Sequence, residues 1–167
     1  MTAHVKLAGI VAPEAAVQSS PHPSAHRIRV ALLFVAIIKI VGALSTLAIL
    51  FDGDASIPGP TPGGQLISAT ILLAAPVAIA AFVFALRGNL TFAIVGIALL
   101  VLLDWLSLLP SVVISWDDFP GSGYGGLLTV IKVVVLPVLA IAAIILVLRG
   151  THLGLATLFA ILPTILS

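Results

Sequence analysis

Apolar residues dominate four stretches of the chain, 30–51, 66–86, 90–109 and 127–148, each broken by only a few polar or charged positions. About 20 helical residues cross the hydrocarbon core of a bilayer, so each stretch has the length of a transmembrane helix. The connectors alternate in character. Residues 52–65 and 110–126 are rich in Pro and Gly and acidic, whereas Arg87-Gly88-Asn89 and Arg149-Gly150-Thr151-His152 are tight and basic. This alternation predicts two helical hairpins. A last apolar stretch, Leu153 to Leu166 with Pro163 near its end, predicts a short fifth helix that either spans or lies at the interface. Residues 1–27 contain no comparable run and read as a mobile cytoplasmic tail. The first apolar run is too long for a signal peptide and is followed by an acidic Asp52-Gly53-Asp54, so the first helix is expected to be retained.

Composition makes the same point by another route. Of 167 residues, 61% are hydrophobic and 8% charged, with seven Lys or Arg and six Asp or Glu. Soluble domains carry about 25% charged residues, so the expected fold class is an all-α integral membrane protein. The chain has no cysteine, which excludes disulfides, thiolate metal sites and cysteine nucleophiles. A net charge of +1 offers no electrostatic reason for nucleic-acid binding.

Orientation follows from the cations, because Lys and Arg in short loops stay on the cytoplasmic side. Lys6, Arg27 and Arg29 precede the first apolar run, Arg87 follows the second and Arg149 the fourth. Asp52, Asp54, Asp117 and Asp118, with Trp116 and Tyr124, fall in the connectors on the other side. The expectation is a cytoplasmic (plasma) membrane protein with its N-terminus in the cytoplasm.

Sliding the chain against itself by 62 residues aligns 28–88 with 90–150 without gaps, at 17 identical positions. These include Pro58-Gly59 with Pro120-Gly121, Gly63-Gly64 with Gly125-Gly126, Ala78-Ile79-Ala80-Ala81 with Ala140-Ile141-Ala142-Ala143, and Leu86-Arg87-Gly88 with Leu148-Arg149-Gly150. Shared hydrophobicity accounts for aligned Leu and Ala, but not for aligned turn residues at one constant offset. Four units are therefore expected: the tail at 1–27, hairpin repeats at 28–88 and 90–150, and a short membrane segment at 151–167. Each repeat crosses twice, so the two copies run parallel in the membrane. Pro76 and Pro137 nearly coincide in this register, and each is expected to kink its helix by depriving a carbonyl four residues earlier of its donor.

Three ionisable residues, Lys39, Asp104 and Lys132, fall within the apolar stretches. A charge at a helix centre costs roughly 2.5–3.5 kcal/mol on insertion scales, so each should face protein or water and find a partner. Counting along the helices places Asp104 and Lys132 at a similar depth and Lys39 deeper, which predicts an Asp104–Lys132 ion pair and leaves Lys39 without an obvious internal partner. Asp104 aligns with Gly42, three residues after Lys39, so the repeat turns Lys39 and Asp104 toward equivalent surroundings.

Other chemistry is weaker. His22 and His26 have helical metal-pair spacing but are interleaved with Pro21 and Pro23; His152 follows the Arg149-Gly150 corner; Asp52-Gly53-Asp54 lacks the remaining calcium-loop ligands. Neither a metal nor a cofactor is expected, and no motif of hydrolases, phosphate loops or metalloproteases is present. The leading expectation is a non-enzymatic accessory or scaffold subunit of a larger membrane assembly, in contact with the lipid bilayer and with other subunits or further copies of itself. The alternative is a small oligomeric transporter or channel that uses Lys39, Asp104 and Lys132.

Overall fold

The computed structural model describes residues 23–51, 61–114, 131–150 and 152–166. Every element among them is helical: α1 (Pro23–Phe51), α2 (Pro62–Leu86), α3 (Leu90–Ile114), a π-helical turn (Ile131–Val135) leading into α4 (Leu136–Leu148), and α5 (Leu153–Leu166). An all-helical chain is what an apolar solvent demands, because a helix satisfies its own backbone groups without water. Three segments, Ser24–Ile49, Pro62–Leu86 and Leu90–Pro110, are long and apolar enough to cross a membrane, which points to a membrane protein. Lys132–Leu148 and Leu153–Ile165 are also apolar but shorter.

Helix boundaries differ from the expected ones where proline is read more accurately by its position. α1 begins at Pro23, so residues 23–27 are helical and do not belong to the tail; residues 1–22 lie outside the described part. α2 begins at Pro62, before the expected residue 66, because Thr61 caps it: its hydroxyl accepts from the Gly64 amide at 3.2 Å. Proline suits a first helical turn, whose amides have no intrahelical partner anyway. α3 runs through Pro110 to Ile114, beyond the expected end at 109. A β-carbon at Gly63 would come within 3.1 Å of the Pro110 β-carbon, so this glycine leaves room for the proline.

α3 is the hub and packs on each of the other four helices. The buried cluster centres on its Ala93, Ile94, Ile97, Ala98 and Val101. Around them lie Leu32 and Val35 of α1, Ala81 and Ala85 of α2, Ala140 and Ala143 of α4, and Ala156 and Ala160 of α5. Lipid tails are as apolar as leucine, so helices in a bilayer associate through close packing, for which small side chains are suited. The tightest approach is between α2 and α3. A β-carbon at Gly96 would meet that of Ala81 at 2.7 Å, closer than real carbons come.

Positions 62 residues apart have matching environments in several places. Ala78 and Ala81 are buried on α2, as Ala140 and Ala143 are on α4, while Ile79 and Ile141 both point outward. Leu32, Val35 and Ala36 are buried on α1, and Ile94, Ile97 and Ala98 on α3. The helix ends match as well. Arg87 and Arg149 cap α2 and α4 with their amides on Val83 and Ile145, both at 3.0 Å. Gly88 (φ 76°) and Gly150 (φ 67°) then turn the chain in the left-handed region, which costs a side-chain-bearing residue roughly 1–2 kcal/mol.

Candidate charge site in the helical bundle

Lys39 on α1 and Asp104 on α3 form an ion pair, Nζ to Oδ2 at 2.6 Å. This partner was not anticipated by counting depth along each helix. Lys39 aligns with Val101, three residues before Asp104, so its α-carbon lies about 4.5 Å deeper along a parallel helix. The flexible four-carbon stem of lysine covers that offset. The Lys39 side chain is 14% exposed and that of Asp104 51% exposed. The ammonium is therefore largely covered by protein, while half of the carboxylate surface remains open.

Two cavities meet at this pair. The larger, of about 410 Å³, is lined by α1, α2 and α3 with Thr164 of α5, and the smaller, of about 240 Å³, by α3, the π-helical turn and α4 with Lys39 of α1 and Pro163 of α5; Lys39, Asp104 and Ser107 line both. Lys132, in the π-helical turn, lines the smaller one, so that cavity has Lys39, Asp104 and Lys132 on its wall. Apart from Pro163, every residue lining the smaller cavity is either shared with the larger or sits 62 positions after a residue that lines it. Lys39, Gly42 and Ala74 correspond to Val101, Asp104 and Leu136; Ala43, Thr46 and Thr70 correspond to Trp105, Leu108 and Lys132. The second member of each of the last three pairs is bulkier, and the cavity it lines is smaller.

The polar groups around the larger cavity are mostly bonded to their own helices. Thr46 donates to the Gly42 carbonyl at 2.9 Å, Thr70 to Ile67 at 2.8 Å and Ser107 to Asp104 at 2.7 Å. Such local bonds satisfy a hydroxyl inside an apolar bundle without a second helix. Thr164 of α5 adds a further hydroxyl, and Ile38, Ile67, Ile71, Leu100 and Leu103 supply aliphatic wall.

Both prolines were expected to kink their helices, and the backbone hydrogen-bond pattern around them differs. α2 continues as an α-helix through Pro76 from Pro62 to Leu86. Ahead of Pro137 the backbone widens into the π-helical turn that bears Lys132. Pro137 deprives the Val133 carbonyl of its α-helical donor, and the indole of Trp105 donates to that carbonyl at 2.8 Å. Trp105 was overlooked as a site residue. A tryptophan at mid-helix, opposite a proline-bearing helix and aligned with an alanine, was the available signal.

The four arginines expected to set topology fall at one end of the bundle. Arg29 donates its Nε to the Ala85 carbonyl at 3.0 Å and an Nη to Leu86, binding the last carbonyls of α2 beside Arg87. Arg27 lies near Gly154 at the start of α5, and Arg149 caps α4 next to it. A cation at a helix C-terminus complements the helix dipole, so Arg29 holds the hairpin together in addition to carrying charge. His26 is exposed on the first turn of α1; His22, Lys6, Asp52, Asp54, Trp116, Asp117, Asp118 and Tyr124 lie outside the described residues. No family model, curated protein or solved structure matches the chain.

Proposed function

We propose that this is a non-enzymatic multi-pass membrane protein that passes a small charged solute along the Lys39–Asp104 pair, acting as an oligomeric transporter or channel. The observation that carries this reading is the pair itself, which forms a common wall of two cavities and presents a half-open carboxylate inside the bundle. Ionisable groups within transmembrane segments are costly to keep and characteristically mark solute or proton pathways. Four or five helices make a thin pore wall, which is the reason for expecting an oligomer.

The architecture proposed with it is a tandem duplication of a helical hairpin, giving four crossings and a short C-terminal fifth helix. Support comes from the matched burial and the matched caps 62 residues apart. The cationic end, with Arg27, Arg29, Arg87 and Arg149, is proposed to face the cytoplasm in a plasma membrane.

The accessory or scaffold reading drew on an unpartnered Lys39, and the 2.6 Å contact with Asp104 removes that support. The half-exposed Asp104 carboxylate still favours it, as a surface for a neighbouring subunit to cover. Membrane-potential measurements in proteoliposomes, comparing the wild type with Lys39→Met and Asp104→Asn, test the transport reading. Solute-driven potentials that both substitutions abolish are expected. Potentials unchanged by either would remove it, and capture of a different membrane subunit on cross-linking in native lipid would favour the scaffold.

A further inference from the structure

We infer that the larger cavity, lined mainly by α1, α2 and α3, is a binding site for a small amphiphilic organic monocation, and that the smaller cavity is its narrower counterpart. This rests on the transport reading and names its substrate class. Three features carry the argument.

The first is charge exposure. Lys39 and Asp104 neutralise one another, but the lysine is 14% and the aspartate 51% exposed. Both residues line the larger cavity, and the carboxylate is the more accessible member of the pair. In a low-dielectric bundle that surface favours a cation and disfavours an anion. The second is the lining. Aliphatic walls that alternate with Lys39, Asp104 and four hydroxyls, and a volume of about 410 Å³, fall within the usual range of small-molecule sites, whereas a bare metal ion would find a single carboxylate here. An apolar body with one positive group fits both parts of the cavity.

The third is the comparison with the smaller cavity. At equivalent positions Ala43 gives way to Trp105, Thr46 to Leu108 and Thr70 to Lys132. The indole is held in place by its hydrogen bond to Val133. The smaller cavity therefore combines less space with an added lysine, two changes that each disfavour a cation.

The test is equilibrium binding of benzyltrimethylammonium to the full chain in lipid nanodiscs, with phenylacetate as the anion of similar size. Saturable binding of the cation, at least about tenfold tighter than the anion, is expected. Asp104→Asn should weaken it by about tenfold or more. Because that change leaves Lys39 without its carboxylate, the charge-free double variant Lys39→Met/Asp104→Asn is measured beside it and should lose binding to the same extent. Thr46→Trp, which fills the larger cavity, should abolish binding, and Leu108→Trp, the same bulk at the equivalent position of the smaller one, should not. No saturable cation binding, equal binding of the anion, or equal effects of the two tryptophans would each overturn the assignment. If solute-driven potentials depend on the pair while benzyltrimethylammonium does not bind, the substrate class is wrong and the transport reading survives. If neither is seen, both fail.

Discussion

The helix pairs α1/α2 and α3/α4 share a register of buried positions and the same capping geometry, yet they enclose different spaces. Where the first pair has Ala43 and Thr46, the second has Trp105 and Leu108, and where α2 continues through Pro76, α4 is preceded by a π-helical turn. On α2 and α4 the buried Ala78 and Ala81, and Ala140 and Ala143, keep the helix contacts small in both pairs. At the positions that face the cavities the two pairs diverge. The lesson is that a common packing scaffold leaves the cavity-lining positions free to acquire charge, bulk or an altered backbone.

The largest expected effect tests the charge asymmetry. Asp104→Ala leaves Lys39 within a membrane-spanning segment without its carboxylate, which should cost about 2–3 kcal/mol of stability, with Lys39→Met/Asp104→Ala recovering most of it. Asp104 aligns with Gly42, where a β-carbon would meet nothing within 4 Å, so Gly42→Ala should be nearly neutral. Unfolding in mixed micelles measures all three; equal losses for Asp104→Ala and Gly42→Ala would show that the pair contributes nothing.

A smaller effect probes the packing. Gly96→Val should destabilise by about 2 kcal/mol, because its side chain would overlap Ala81. Phe34, 62 positions earlier, is 65% exposed, so Phe34→Ala should change stability by less than about 0.5 kcal/mol. The reverse ranking would mean that the outer face of α1 is covered by another chain.

The smallest effect concerns the π-helical turn. Trp105→Phe removes the donor to Val133 and should cost about 1 kcal/mol. Pro137→Ala returns a backbone amide that can bond the same carbonyl, so the Trp105→Phe penalty should shrink in that background. A double-mutant cycle measures this coupling. Additive losses would mean that the indole bond does not compensate for the proline.

The sequence also set out where its own reading would succeed. Helix existence was legible in the apolar runs, and the common end of Arg27, Arg29, Arg87 and Arg149 in the order of the cations. The close-packing faces were legible in Ala78–Ala81 and Ala140–Ala143. Helix starts were misjudged because Pro23 and Pro62 were counted as breakers, although proline is well placed in a first helical turn. The Lys39–Asp104 pair was missed because depth was counted from α-carbons, and a lysine stem reaches almost another turn.

By itself, then, the sequence determined the solvent, the helices, the cationic end and the three charges that topology leaves unexplained. Hydrophobic length and turn chemistry act locally, so they can be read along one dimension. Only the tertiary structure decided that Lys39 reaches Asp104, that Trp105 donates to the Val133 carbonyl, and that the pair lines both a larger and a smaller cavity. Those facts depend on which side chains from distant helices arrive at one point, and on the space left between them.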